Sequence, residues 1–495
     1  MGNILVFDYG TTALKAALYD DSLRVLGVAS REWVYTYPTA GFIEHSPEIY
    51  WEKTVDAANE LFERFGGRDR LTAISVTGQA ETLIALDADG NALGNAIVWL
   101  DTRPQEEWRR FSREYERSRL YKATGNTGFD PVMPLLKLNW MQAHEPERYR
   151  AAHKFLLIKE YIIYRLTGRL IGEMSTQSCS GYFNIVSCNW EKELIDYAHI
   201  DIAKLPELHD SQYVVGALCP DAQSALGIGP GAMVVNGLLD QCASSLGAGV
   251  TDNTQITETT GTVLAISAVL DEFEGNDADM LVLRHGLPGK YLALPNCYTA
   301  GVLLKWFRDN FMEHGTTYED IDREIIKRGR AESGLLLLPH FAGYLSPVNN
   351  ASASGVIYGL SLDTNKIDVA HAIMEGVGFL LRENLELLER HGISSQRIIS
   401  LGGGAKSPLW LQIKANICGR ELLTLTDDES TALGCAMNAA LALGMIDIDD
   451  IPGLVSTAGS TSSDERAELY ERKYAGYREL NARLGFNPVG AVTKP

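Results

Sequence analysis

The pattern that most constrains this chain is a strand, an acid and a glycine–threonine turn, and it occurs twice. Near the start, Ile4-Leu5-Val6-Phe7-Asp8 is an apolar run closed by a carboxylate. Tyr9-Gly10-Thr11-Thr12 follows, and then a second run, Leu14-Lys15-Ala16-Ala17-Leu18-Tyr19. Two strand-length runs around a Gly-Thr-Thr turn predict a β-hairpin. The hairpin gathers Asp8, turn N–H groups, the hydroxyls of Thr11 and Thr12, and Lys15 around one small space. Turn N–H groups form an anion-binding concavity and a carboxylate suits a hard cation, so the space fits a phosphate chain with Mg2+. A plain hairpin without a ligand explains the segment, taken alone, at least as well.

The device returns in the second half. Met233-Val234-Val235-Asn236-Gly237-Leu238-Leu239-Asp240 is again a strand closed by an acid, and residues 255–267 read as a hairpin turning at Thr260-Gly261-Thr262. Similar hairpins heading two halves predict duplicated α/β domains with a cleft between them. The length agrees, because 495 residues exceed one ordinary core.

Composition narrows the partners. With 64 acidic against 44 basic residues the formal net charge is −20, and a nucleic acid or an anionic membrane would need a basic footprint. No apolar run has the length to span a bilayer, and the first residues read as a strand and not as a secretory signal. The seven cysteines are scattered and form no C-x-x-C pair, which reads as reduced thiols in a cytoplasmic protein.

Strand-like runs fall at 4–8, 14–19, 24–30, 71–77, 82–87 and 96–100, with helices at 47–65, 103–118, 133–144 and 155–167. Ser46, Pro47 and Glu48 form a helix-start signal. The Gly/Pro/Asp-spaced stretch 208–231 approaches a boundary. Later come a helix over 367–391, a strand at 397–401 running into Gly402-Gly403-Gly404-Ala405, and helices at 408–418, 429–443 and 464–484. The domains expected are 1–245, 246–450 and a C-terminal helical extension, 451–495, packed on the second domain.

Three glycine-rich turns after strands are the parts of a nucleotide site: two to clamp phosphates, and Gly402-Gly403-Gly404 to let a flat base lie on bare backbone. Neither a P-loop nor a dinucleotide fingerprint is present. Asp8 and Asp240 would face each other across the cleft, one holding Mg2+ and the other accepting a proton from a hydroxyl that attacks phosphorus. Asp240 also suits a helix N-cap, and both roles are compatible. Gln79 and Glu81, then Trp99, Asp101 and Arg103, supply donors, acceptors and an apolar plate for a polyhydroxylated ligand, or else a polar loop beside a packed tryptophan.

Taken together these residues resemble the FGGY carbohydrate kinases. The carriers are Asp8-Tyr9-Gly10-Thr11-Thr12, Gly78-Gln79, Trp99-Leu100-Asp101-Thr102-Arg103, Gly237-Leu238-Leu239-Asp240-Gln241, Thr260-Gly261-Thr262, Gly402-Gly403-Gly404-Ala405 with Trp410, and Ala432-Leu433-Gly434. The resemblance implies two actin-like (ribonuclease H-like) ATPase domains closing over ATP, Mg2+ and a sugar or polyol. It makes Asp240 the general base and Asp8 the residue that organises the metal, with Asp240 beside it. Thr11, Thr12, Lys15, Gly261 and Thr262 become phosphate contacts, and Gly403, Gly404 and Ala405 adenine contacts. Gln79, Glu81, Trp99, Asp101, Arg103, Asp240 and Gln241 fall on the sugar side. Family members are often dimers or tetramers, so a homodimer is the implied assembly.

The substrate is where this chain departs from its relatives. Glycerol kinases carry an arginine where Ala80 stands and a tyrosine where Val132 stands. A site that has lost both polar contacts loses discrimination for glycerol, and the smaller side chains widen the pocket. Xylulose kinases usually place His where Glu81 stands. A ketopentose of the xylulose type is the substrate expected, with glycerol or another polyol as the alternative. An actin-like module that hydrolyses ATP only to switch conformation is the reading from another class.

Overall fold

Strand Asn3–Tyr9 pairs antiparallel with Ala13–Tyr19, which pairs antiparallel with Val25–Glu32. On its other edge Asn3–Tyr9 takes Leu71–Gly78 in parallel, then Met233–Val235 in parallel, then Val214–Ala217 antiparallel. The computed structural model, which describes residues 2–276, 279–427 and 429–486, repeats this plan in the second half. There Ile256–Thr260 pairs antiparallel with Leu264–Leu270, which pairs antiparallel with Tyr291–Leu294. Arg397–Leu401 and Glu421–Leu425 add in parallel on the far edge, and Thr457–Thr461 closes it antiparallel. The expected duplication is thus a duplication of sheet topology, and each hairpin turn protrudes at one end of its sheet.

Each half sends a helix from its outer parallel strand into the seam between the lobes: Asp240–Gly247 after Met233–Val235, and Ser430–Ala442 after Glu421–Leu425. The boundary expected at 245 therefore falls inside a helix. The two helices cross with backbone against backbone. A Cβ added to Gly247 would overlap the Ser430 carbonyl, and one added to Gly434 would overlap the Ala243 carbonyl. Around this crossing a single apolar cluster joins both lobes, from Ile4, Val6 and Tyr19 to Leu401, Leu433 and Met437. Burial of that seam ties the halves into one body.

Several expected elements are redrawn. Residues 155–167 are not one helix: Lys154–Leu157 is a strand, and the helix runs from Ile158 to Thr167. The strand joins Leu83–Leu86, Ala96–Ile97 and Glu44–His45 in a small sheet of its own beside the first lobe. Residues 103–118 divide into Gln105–Glu114 and Arg117–Thr124. Ser46 stands at the N-cap of Pro47–Phe65 without a side-chain cap bond. The extension expected to be helical supplies both the edge strand Thr457–Thr461 and the helix Ala467–Arg483, whose Tyr470, Tyr474 and Tyr477 are buried in the second lobe. Its residues 487–495 lie outside the described ones.

Candidate active site

Asp8 lies opposite Lys15 in the first hairpin and opposite Thr77 on the neighbouring parallel strand. The turn between is held from below. The Trp33 indole N–H donates to the Thr11 carbonyl at 3.2 Å, the Trp33 backbone N–H to the Thr12 carbonyl at 3.0 Å, and the Gln79 amide to the Gly10 carbonyl at 3.0 Å. Thr11 and Thr12 themselves are exposed. Gln79 was expected on the sugar side, but both ends of its amide are taken. Its Oε1 accepts the Thr82 hydroxyl at 2.7 Å, and the Thr82 oxygen in turn accepts the Trp99 backbone N–H at 2.9 Å. A continuous string of hydrogen bonds therefore runs from the first turn to Trp99.

Asp240 opens its helix, with Leu239 in the cap position, so the N-cap reading does not hold. The sharp turn before it needs Gly237, at φ 73° and packed on the Val76 carbonyl, where a side chain would clash. The turn rests on buried polar groups that sequence reasoning missed. Lys159 Nζ donates to the Asn236 carbonyl at 2.9 Å, and the Leu239 N–H donates to Ser175 Oγ at 2.9 Å, whose hydroxyl donates to Glu173 at 2.7 Å. The signal was visible: Lys159-Glu160 interrupts an otherwise apolar run from Phe155 to Ile163.

The structure brings Asp8 and Asp240 together. Burial pushes the Asp240 carboxyl up to about 8, with the negative charge of Asp8 the next largest cause and that of Glu81 a smaller one; the Gln241 N–H, at 2.6 Å, opposes the rise. Burial likewise raises Asp8 to about 6, against the pull of Lys15. Two carboxyls raised mainly by burial, Asp240 further by the charge of Asp8, mark a place short of positive charge.

On the sugar side Glu81 is partly buried, and its carboxyl is raised by burial, opposed by Lys137, with Asp130 adding to the rise. Lys137, missed in the sequence, is fully buried and donates to the carbonyls of Glu81 and Val98, each at 2.8 Å. Asp101 and Arg103, expected to touch substrate, are spent on each other and on the protein. Arg103 grips Asp101 from Nε at 2.9 Å and Nη2 at 2.7 Å, its Nη2 also reaches Glu44 at 2.9 Å, and Asp101 accepts the Ile43 N–H at 2.6 Å. Neither side chain has exposed surface, and Arg103 Nη1 is buried without a hydrogen-bond partner among the described residues. The Trp99 indole N–H is likewise buried and has no partner among the described residues. From the second lobe, the Tyr298 hydroxyl is raised to about 12, mainly by burial and further by the nearby Asp130 carboxylate. Gln241 is half-buried beside Asp240.

A cleft of about 830 Å3 connects the two glycine-rich turns of the second lobe and reaches back to Lys15. Gly261 and Thr262 form one end. Their carbonyls accept the Gly301 N–H at 2.8 Å and the Ala300 N–H at 3.1 Å, which leaves Thr262 exposed toward Lys15. Gly402 and Gly403 are exposed at the other end, with Ala405 half-buried, whereas Gly404 turns inward; a Cβ there would stand 2.6 Å from Thr260 Cβ. Beneath them a buried ion pair, Lys414 Nζ to Glu258 at 2.8 Å, also reaches Thr260 Oγ1 at 2.7 Å and fixes both turns. Exposed hydroxyls at one end and a bare backbone shelf at the other fit a nucleoside triphosphate, and the carboxyls of Asp8 and Asp240 fit its cation.

The N-terminal domain profile of the FGGY family of carbohydrate kinases matches residues 3–247, and the C-terminal profile matches residues 243–443. A xylulose kinase of Staphylococcus xylosus is 31% identical over 445 residues, covering 89% of this chain and 91% of its own. This chain belongs to the FGGY family of carbohydrate kinases. Two solved structures share its architecture. A ligand-bound xylulose kinase of Lactobacillus acidophilus has a TM-score of 0.91 at 26% identity, covering 98% of this chain and 99% of its own. A gluconate kinase of the same organism has a TM-score of 0.91 at 25% identity, covering 99% and 100%. The expected two-domain, actin-like α/β fold is therefore the one observed, and the protein is an ATP-dependent carbohydrate kinase. No helix among the described residues is long and apolar enough to cross a membrane.

Proposed function

We propose that this FGGY kinase phosphorylates a hydroxyl of a neutral ketopentose such as xylulose, with Asp240 as general base. The observation that carries this reading is the burial of the Asp240 carboxyl within reach of the Asp8 charge, with Asp8 standing opposite Lys15, which lines the nucleotide cleft. Asp240 takes the proton of the acceptor hydroxyl, the freed oxygen attacks the γ-phosphorus, and the bond to the β,γ-bridging oxygen breaks as ADP leaves. Asp8, with Asp240 beside it, would hold Mg2+, which when bound neutralises charge on the phosphates. Thr11, Thr12, Lys15, Gly261 and Thr262 hold the phosphates in line, and Gly402, Gly403 and Ala405 carry the base. Most of the rate enhancement then comes from positioning and charge stabilisation.

The sign of the sugar wall supports a neutral substrate over an aldonate. Glu81, Asp130 and Asp240 are carboxyls raised by burial, and the nearby cations Lys137 and Arg103 have no exposed side-chain surface. A substrate carboxylate would add a further negative charge to this acidic wall, where the Lys137 ammonium is already engaged by two carbonyls and the unpartnered Arg103 Nη1 is buried. Trp99, with its indole N–H unpartnered, is the donor suited to a sugar oxygen.

Release of ADP measured with xylulose, ribulose, glycerol and gluconate tests the reading. Xylulose or a close ketopentose is expected to support turnover and gluconate to support little. Full-rate hydrolysis without any sugar would favour a conformational switch, and preference for gluconate would overturn the neutral-substrate reading.

A further inference from the structure

Lys15 is not idle at the mouth of the cleft. Its ammonium is gripped by both oxygens of Glu429, at 2.9 and 2.8 Å, although the two residues are 414 positions apart. Lys15 stands on the first lobe's hairpin. Glu429 stands in the position before the helix Ser430–Ala442, at the N-terminal end where a carboxylate is also favoured. Both side chains line the nucleotide cleft and both are partly exposed. Asp8 lies next to Lys15 and feels both charges, lowered by one and raised by the other. A cation that serves phosphates is therefore already neutralised by a carboxylate from the opposite lobe.

Resting on the reading that this cleft takes a nucleotide with its phosphates at the first hairpin, we infer that Glu429 is a positioning residue acting through Lys15: it holds the ammonium between nucleotides and competes with phosphate for it. A phosphate oxygen and the Glu429 carboxylate seek the same three N–H donors. Forming the phosphate contact therefore requires loosening the ion pair, and that loss is subtracted from nucleotide affinity. The competition acts on ADP as on ATP and so hastens departure of the spent nucleotide.

The inference fixes the sign of one substitution. Removing a carboxylate from a binding site's wall ordinarily weakens binding of a metal–nucleotide complex if that carboxylate serves the metal. Here Glu429→Gln, which keeps size and an acceptor oxygen, should tighten MgADP binding by roughly three- to tenfold, in keeping with the modest strength of a partly exposed ion pair. The KM for ATP should fall with it. Lys15→Met should weaken MgADP binding, and in the Lys15→Met background Glu429→Gln should change nothing further. Calorimetric titration of MgADP into the full chain and the three variants reads all of this without turnover. Unchanged or weaker binding by Glu429→Gln overturns the inference. So does a gain that persists without Lys15, because Glu429 would then act on the phosphates directly. Failure of the unsubstituted chain to bind MgADP would instead sink the nucleotide reading on which the inference stands.

Discussion

Gly247 and Gly434 occupy equivalent places in the two halves and press against each other's helices where the lobes cross. Each position excludes even a methyl group, since a Cβ on either would overlap a carbonyl of the opposite helix. Gly434→Ala is therefore expected to lower the melting temperature by several degrees, with overpacking costing about 1–3 kcal/mol. Ser430→Ala, which removes only the 3.3 Å hydroxyl contact with Ser244, should be close to neutral. An unchanged melting temperature for Gly434→Ala would mean that the crossing relaxes freely.

Asp240→Asn should reduce kcat by about a thousandfold or more, since an amide cannot take the hydroxyl proton and general-base assistance is worth roughly 10²–10⁴. Nucleotide affinity, measured by titration of MgADP, should change little. Near-normal kcat in this variant would remove Asp240 from the role of base.

The same two carboxyls make a statement about pH and stability. Asp8 and Asp240 sit at about 6 and about 8 in the folded chain, above the ordinary carboxylate value of 3.8. A group whose folded value is raised favours folding while protonated, so this contribution is complete below about pH 4 and is lost as pH rises through 6 to 8. In the ligand-free protein without Mg2+, Asp240→Asn should flatten the fall in melting temperature across that window. Parallel curves for the two proteins would show that Asp240 does not titrate there.

Lys414→Met strands the Glu258 carboxylate in a fully buried position. Breaking a buried pair from one side typically costs about 3–5 kcal/mol, and replacing both partners costs much less. Denaturant unfolding should show Lys414→Met well below the Lys414→Met, Glu258→Gln double variant. Equal losses would mean that the pair is weakly coupled.

Trp99→Phe deletes an indole N–H that has no partner among the described residues and keeps the ring's packing. Sugar KM should rise by roughly tenfold, in line with loss of one hydrogen bond, while the KM for ATP stays level. A matching rise in both would mark general damage to the fold.

The hairpins were legible because a strand, an acid and a Gly-Thr turn are all local signals, and their repetition 250 residues on exposed the duplication. Asp8 falls near the end of its expected strand, whereas the strand read up to Asp240 stops at Val235 and Asp240 opens the helix that follows. The partners of Asp101 and Arg103, the Ile43 N–H and Glu44, are almost sixty residues away, and no local pattern reveals such a pairing. The bonds of Gln79 to Gly10 and Thr82 were hidden in the same way. The strand Lys154–Leu157 was absorbed into a helix because its apolar residues Phe155, Leu156 and Leu157 run directly into Ile158, with no turn residue between strand and helix. The Lys15–Glu429 pair was invisible, since it depends on how two lobes meet.

The amide of Gln79 ties the carbonyl of Gly10 to the hydroxyl of Thr82, and through it to Trp99. The first turn and the Trp99 wall are thus one mechanical part and not two. On the proposed function, an acceptor that seats poorly against the indole would shift the phosphate cradle as well, and misfit on one side would be felt as idleness on the other.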